Sequence, residues 1–137
     1  MRGLVIQQPD LDNIVNGLKT VLIRTQNTKI RGHVALCHEG HIHGFANIID
    51  SRQVPRSQLL TPNWEKKHRA THSLLGGPYS TTEALWIWEL SHIQKLEFPI
   101  PYEPQKGAGG TLIAFIHPRS FNGVLPELKE KKLSSSS

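Results

Sequence analysis

The chain has 137 residues, 16 Lys and Arg against 11 Asp and Glu, a net charge of +5 and a pI near 9.6. That length reads as one domain able to bury an ordinary core, and the basic balance favours polyanionic partners, because cations release condensed counterions when they contact phosphates. No apolar run approaches the roughly 18 residues a membrane span needs, the opening apolar stretch is too short for a signal peptide, and Cys37 stands alone, so a reducing cytoplasm is the expected compartment.

Leu4-Val5-Ile6 reads as a short buried strand, and Pro9 suits the start of a helix with Gln8 near its cap. Leu11, Ile14, Val15 and Leu18 follow helical spacing, with Gly17 as the stop. Lys19 to Arg24 reads as a strand and Thr25 to Arg31 as a polar, basic loop. His33–Cys37 and His41–Asp50 read as strands of a hairpin with a three-residue turn, His38-Glu39-Gly40. That turn places Cys37 opposite His41, Ala35 opposite His43 and His33 opposite Phe45.

Pro55, Pro62 and Pro78 punctuate an irregular stretch in which Trp64 to Arg69 reads as a helical turn or two. Trp86, Ile87 and Trp88 favour strand within Glu83–Leu96; Phe98 to Tyr102 is extended by its prolines, and Gly107 to Ile116 reads as a last strand. After Pro118 the chain turns Lys- and Ser-rich, so residues 1–117 read as the domain and 118–137 as an extension, in part disordered. Nine prolines and eleven glycines fit an α+β, mainly β architecture.

The order of motifs is more specific than any one of them. Gln8-Pro9, Gly17-Leu18-Lys19-Thr20 with Arg24, Arg31-Gly32, Gly44 with Ala46, Trp88, Pro99 to Tyr102 and Gly107-Ala108 follow one another as in the ASCH family, which the chain resembles from about Gly3 to Ile116. The resemblance implies a PUA-like β-barrel with an N-terminal helix, a small helical insertion near Trp64 and RNA as the expected partner. It departs at Asp10, Leu22 and Ser91, where relatives often carry an aromatic residue, an acid or Thr, and Glu.

Strand parity sets Leu22 beside Arg24 on a groove face, with Val21 and Ile23 toward the core. The expected function is therefore binding of RNA or a nucleotide-like small molecule in a basic cleft. Lys19, Thr20 and Arg24 would form that cleft, Gln8 would add an amide, Lys29 and Arg31 would steer the polyanion, and Trp86 or Trp88 would stack bases. A solvated basic face and barrel-filling tryptophans are the plainer alternatives. A hydrolase acting on an acylated nucleoside or on RNA is the alternative activity, with Lys19 as its activated group and Glu83 or Glu89 as its acid. A metal-bound module on Cys37, His41 and His43 is a third reading, set against surface histidines and an inert core thiol. No cofactor is expected.

Overall fold

The computed structural model describes residues 2–102 and the backbone of 113–115. Its strands are β1 (Arg2–Val5), β2 (Val21–Arg24), β3 (Gly32–His38), β4 (His41–Pro55), β5 (Ala84–Pro101) and β6 (Ile113–Phe115). They form one sheet in the order β2-β5-β4-β3-β1-β6, antiparallel except for the parallel β1–β3 pair. An α+β, mainly β fold is thus established. Among the described residues no pairing closes β2 onto β6, so the expected barrel is an open sheet as far as the hydrogen-bonded ladder goes. The expected extension 118–137 and the pair Gly107-Ala108 lie outside the described residues.

Helix α1 (Asp10–Val15) is one turn shorter than its apolar spacing predicts. Leu11 and Ile14 are buried, but Leu18 lies beyond the helix end and is exposed, because Gly17 turns the chain at φ 80°. Gln8 serves the helix entrance: its carbonyl oxygen accepts the Asp12 N–H and its amide donates to the Asp12 carboxylate, both at 3.1 Å. Those two bonds satisfy a backbone donor left over at a helix start.

Burial overturns the groove expected on the Leu22 face of β2, although the alternation itself holds. Leu22 is fully buried with Leu4, Ile6, Leu11, Leu36, Trp88 and Leu90, in the main core between α1 and one face of the sheet. Val21 and Ile23 are buried too, in a second core with Val54, Leu59, Leu74 and Ile87. That second core is roofed by three short helices, α2 (Arg56–Leu59), α3 (Pro62–His68) and α4 (Thr71–Leu75), where only a helical turn or two was expected. A strand covered on both faces has no groove side, so Leu22 is core and replaces no groove acid.

The hairpin register also differs from expectation. The turn is the two-residue Glu39-Gly40, with φ 49° and 77°, the pair of positive values a type I′ turn requires. His38 then pairs with His41, Cys37 with Ile42, Ala35 with Phe45 and His33 with Asn47, with a register shift between Leu36 and Cys37. The physical reason is burial: this register gathers Ala35, Cys37, Ile42 and Phe45 into a third apolar cluster, which the longer turn would have broken.

Candidate ligand cleft

The start of α1, the end of β2 and the insertion meet in a cleft of about 480 Å³. Gln7, Gln8, Pro9 and Asp10 form one wall, Arg24 another, and His72, Ser73, Pro78 and Tyr79 a third. Local folding explains each placement. The bonds from Gln8 to Asp12 fix the first turn of α1 and bring Asp10 to the rim. The Tyr79 hydroxyl donates to Ile23 O at 3.1 Å, which ties the insertion to the last residues of β2.

Lys19 lies beneath this cleft rather than in its lining. It is 1% exposed, its ammonium stands 3.6 Å from the Asp10 carboxylate, and it donates to the His68 carbonyl. Burial pulls its pKa below the ordinary lysine value; Asp10 opposes that shift, while Arg24 and Arg69 add to it. Asp10 therefore faces both ways, pairing with a buried cation below and presenting carboxylate to the cleft above.

Arg24 is half-buried. Its Nη1 donates to Ile23 O at 2.8 Å, its Nε has no acceptor in the protein, and its guanidinium carbon lies 5.9 Å from the Trp88 ring centre. Burial lowers its pKa, with Tyr79 and Asp10 acting in the opposite direction, and a guanidinium stays cationic throughout the accessible pH range. Among the described residues Arg24 makes no direct salt bridge, so its positive charge in the cleft wall is not cancelled by a contacting carboxylate.

Of the residues singled out from sequence, Gln8 and Arg24 line the cleft and Lys19 supports it from below. Thr20 is exposed but outside the lining, with its N–H donated to Lys67 O at 3.0 Å. Trp88 is buried in the main core and its indole N–H donates to Gln26 O at 2.9 Å; Trp86 packs half-buried against the same core. Lys29 is exposed on its loop, and Arg31 there donates to the carbonyls of Thr28 and Ile30, each at 2.9 Å. Neither loop cation lines the cleft. Glu89 is bound 3.1 Å from Arg52, and Glu83 is exposed outside the lining.

The proposed metal trio is not assembled. Cys37 is fully buried and opposite Ile42, and its thiol pKa is pushed up to about 12 by burial. His41 is exposed and close to Glu39 O, whereas His43 is 6.2 Å ring to ring from His38. Among the described residues no group of three or more His, Cys, Asp or Glu is placed to hold a metal ion. No helix among them is long and apolar enough to cross a membrane.

Asp10, Tyr79, His72 and Ser73 were missed by sequence reasoning. Asp10 carried a signal, being an acid in the first turn of a helix beside a basic motif. The other three sit in the irregular insertion, where no periodicity marks them.

No protein-family model matches the sequence, and no curated protein matches it significantly. Solved structures do match. Two single-residue mutants of the ASCH protein of Zymomonas mobilis superpose with a TM-score of 0.68, at 13% and 14% identity. The alignments cover 92% and 91% of this chain and 94% and 96% of those proteins. The ASCH structure from the same organism gives a TM-score of 0.60 at 14% identity, over 93% of this chain and 94% of the other. At that identity the likeness speaks for architecture, and it agrees with the motif order: the chain has the ASCH domain fold.

Proposed function

We propose that the chain binds RNA or a nucleotide-like ligand by seating one nucleotide unit in the cleft of Gln8, Asp10, Arg24 and Tyr79, within a PUA-like scaffold. The observation that carries this reading is Arg24, a permanent cation in the cleft wall with no direct carboxylate partner among the described residues. A guanidinium so placed can grip a phosphate or the acceptor edge of a base. Asp10 adds an acceptor for an exocyclic amine, the neighbouring glutamines supply amides, and Tyr79 gives an aromatic wall. The volume, about 480 Å³, falls within the range of small-ligand pockets. The net charge of +5 supplies the long-range attraction.

The test is binding of a short labelled single-stranded RNA, and of each ribonucleoside monophosphate, to wild type and to Arg24→Ala. Loss of charge-assisted bonds worth about 1.5–3 kcal/mol predicts at least a roughly tenfold weakening. Binding indifferent to Arg24→Ala would refute the cleft reading.

A second reading, hydrolysis of an acylated nucleoside or of RNA, is favoured by one observation: the buried Lys19 ammonium, with its lowered pKa, contacts a cleft-lining carboxylate. Asp10 replaces Glu83 and Glu89 as the acid in reach. Cleavage or deacylation that survives Lys19→Ala would remove this reading.

A further inference from the structure

We infer that the insertion helix α3 carries the phosphates flanking the nucleotide in the cleft, so that the ligand is a stretch of single-stranded RNA and not a free nucleotide. This inference rests on the cleft reading above. Lys66, Lys67 and Arg69 fall within four consecutive positions, and all three are exposed. Among the described residues none of them forms a salt bridge. The one acid of the helix, Glu65, accepts a hydrogen bond from the Thr71 hydroxyl at 2.8 Å. Three cations beside one acid leave the strip net positive.

The strip is also held in place. The Lys67 ammonium lies 5.0 Å from the Trp64 ring centre, and the Arg52 guanidinium lies 5.3 Å from the same ring. Arg52 is in turn fixed by Asp50 at 2.6 Å and Glu89 at 3.1 Å. Cation–π contact restrains Lys67 without neutralising it, so its charge remains available to a polyanion.

Connectivity places the strip beside the cleft. The His68 carbonyl, between Lys67 and Arg69, accepts the Lys19 ammonium that also pairs with cleft-lining Asp10. The Thr20 N–H donates to Lys67 O at 3.0 Å, tying the helix to the start of β2. Immediately after Arg69, α4 brings His72 and Ser73 into the cleft wall. A mononucleotide in the cleft has no group to offer the three cations of α3 and its C-cap Arg69, whereas a chain has a phosphate at every step.

The experiment compares wild type, Arg24→Ala and a variant with Lys66, Lys67 and Arg69 all replaced by Ala, using a short mixed-sequence RNA and each ribonucleoside monophosphate across a salt series. Single strands lose about 0.7 in log–log salt slope per phosphate contact, so the triple variant should lose about 2. Its RNA affinity near 0.1 M salt should drop roughly a hundredfold by the same relation, with mononucleotide binding unchanged. Thermal melting checks that these exposed substitutions leave the fold intact, and replacing the same three residues with charge-retaining alternatives (Lys66→Arg, Lys67→Arg, Arg69→Lys) should restore the slope. An unchanged slope in the triple variant overturns the α3 surface whatever happens in the cleft. RNA binding weakened by the triple variant but indifferent to Arg24→Ala overturns the cleft placement instead.

Discussion

Asp10 and Lys19 should be unequal partners, and the inequality can be measured. At 3.6 Å and an effective dielectric near 20 their gross attraction is about 5 kcal/mol, most of it offset by desolvation of the ammonium. The side chains are 1% exposed for Lys19 and 32% for Asp10. Asp10→Asn therefore strands a buried cation, which costs about 3–5 kcal/mol for a fully buried pair and about 2–3 once the exposure of Asp10 is discounted. Lys19→Met removes that cation, lets water reach Asp10, and leaves the His68 carbonyl short of a donor, for about 1–2 kcal/mol.

Urea unfolding at neutral pH and low salt should rank Asp10→Asn as the more damaging change by about 1 kcal/mol. The double variant should be no worse than Lys19→Met alone, because the stranded charge is gone. The pH dependence follows from the lowered Lys19 pKa. The unfolded lysine holds its proton up to about pH 10.4, so wild type gains stability relative to Lys19→Met as pH rises from the lowered native value toward that limit. Equal losses in the two single variants, or additivity in the double, would refute the reasoning.

His68 should act as an acid-labile staple. Its Nδ1 accepts the Ala70 N–H at 2.9 Å, which leaves Nε2 to donate to Leu59 O at 2.7 Å, and burial lowers its pKa. Its contribution is thus complete above the unfolded value near 6.5 and is lost as pH falls through the lowered native one, so His68→Gln should flatten the stability profile on the acid side. Cys37 gives the opposite sign: with the native thiol raised to about 12, stability should fall as pH climbs above the ordinary thiol value, and Cys37→Ala should abolish that fall, as urea titrations at stepped pH would show. A Cβ at Gly44 would press the Gln94 carbonyl oxygen well inside van der Waals contact and approach Val15 Cγ1 to 3.3 Å. Gly44→Ala should consequently cost about 1–3 kcal/mol by thermal or chemical melting, and full retention of stability would show that β5 can shift.

The sequence was legible where one residue type has one job. Gly17 ended a helix, Glu39-Gly40 turned a hairpin, and Trp86, Ile87 and Trp88 marked a strand that runs to Pro101. It misled where a decision depended on what lies across space. The parity of β2 was readable, but nothing in Val21-Leu22-Ile23 says that three helices from residues 56–75 will roof the second face. The hairpin slipped by one position at the turn and by two beyond the register shift, because the third cluster had to close, a condition set by Val5 and Ile100 from elsewhere in the chain. The site was half legible for the same reason. Gln8, Lys19 and Arg24 sit in the two segments that carry the motifs, whereas Tyr79 and His72 reach the cleft from an insertion whose sequence has no period. Asp10 was visible as a departure from the family pattern, and its meaning came only with the buried ammonium under it.

That ammonium changes the character of the cleft. Lys19 and Arg24 contribute two positive charges and Asp10 one negative, so the local sum is one positive charge, held chiefly by Arg24. A phosphodiester within a chain carries one negative charge, whereas a terminal phosphomonoester carries about 1.5 to 2 at neutral pH. Placing a terminal phosphate against Arg24 would leave excess charge facing Asp10 in a partly desolvated pocket, where repulsion is poorly screened. On the proposed reading, an internal phosphate would balance the site. RNA bearing a 5′-hydroxyl should therefore bind as tightly as the same RNA bearing a 5′-phosphate, while Asp10→Asn should shift the preference toward the phosphorylated end. Measured side by side, a strong wild-type preference for the 5′-phosphate would mean that Asp10 is not sensed by the ligand, and the charge balance drawn here would be wrong.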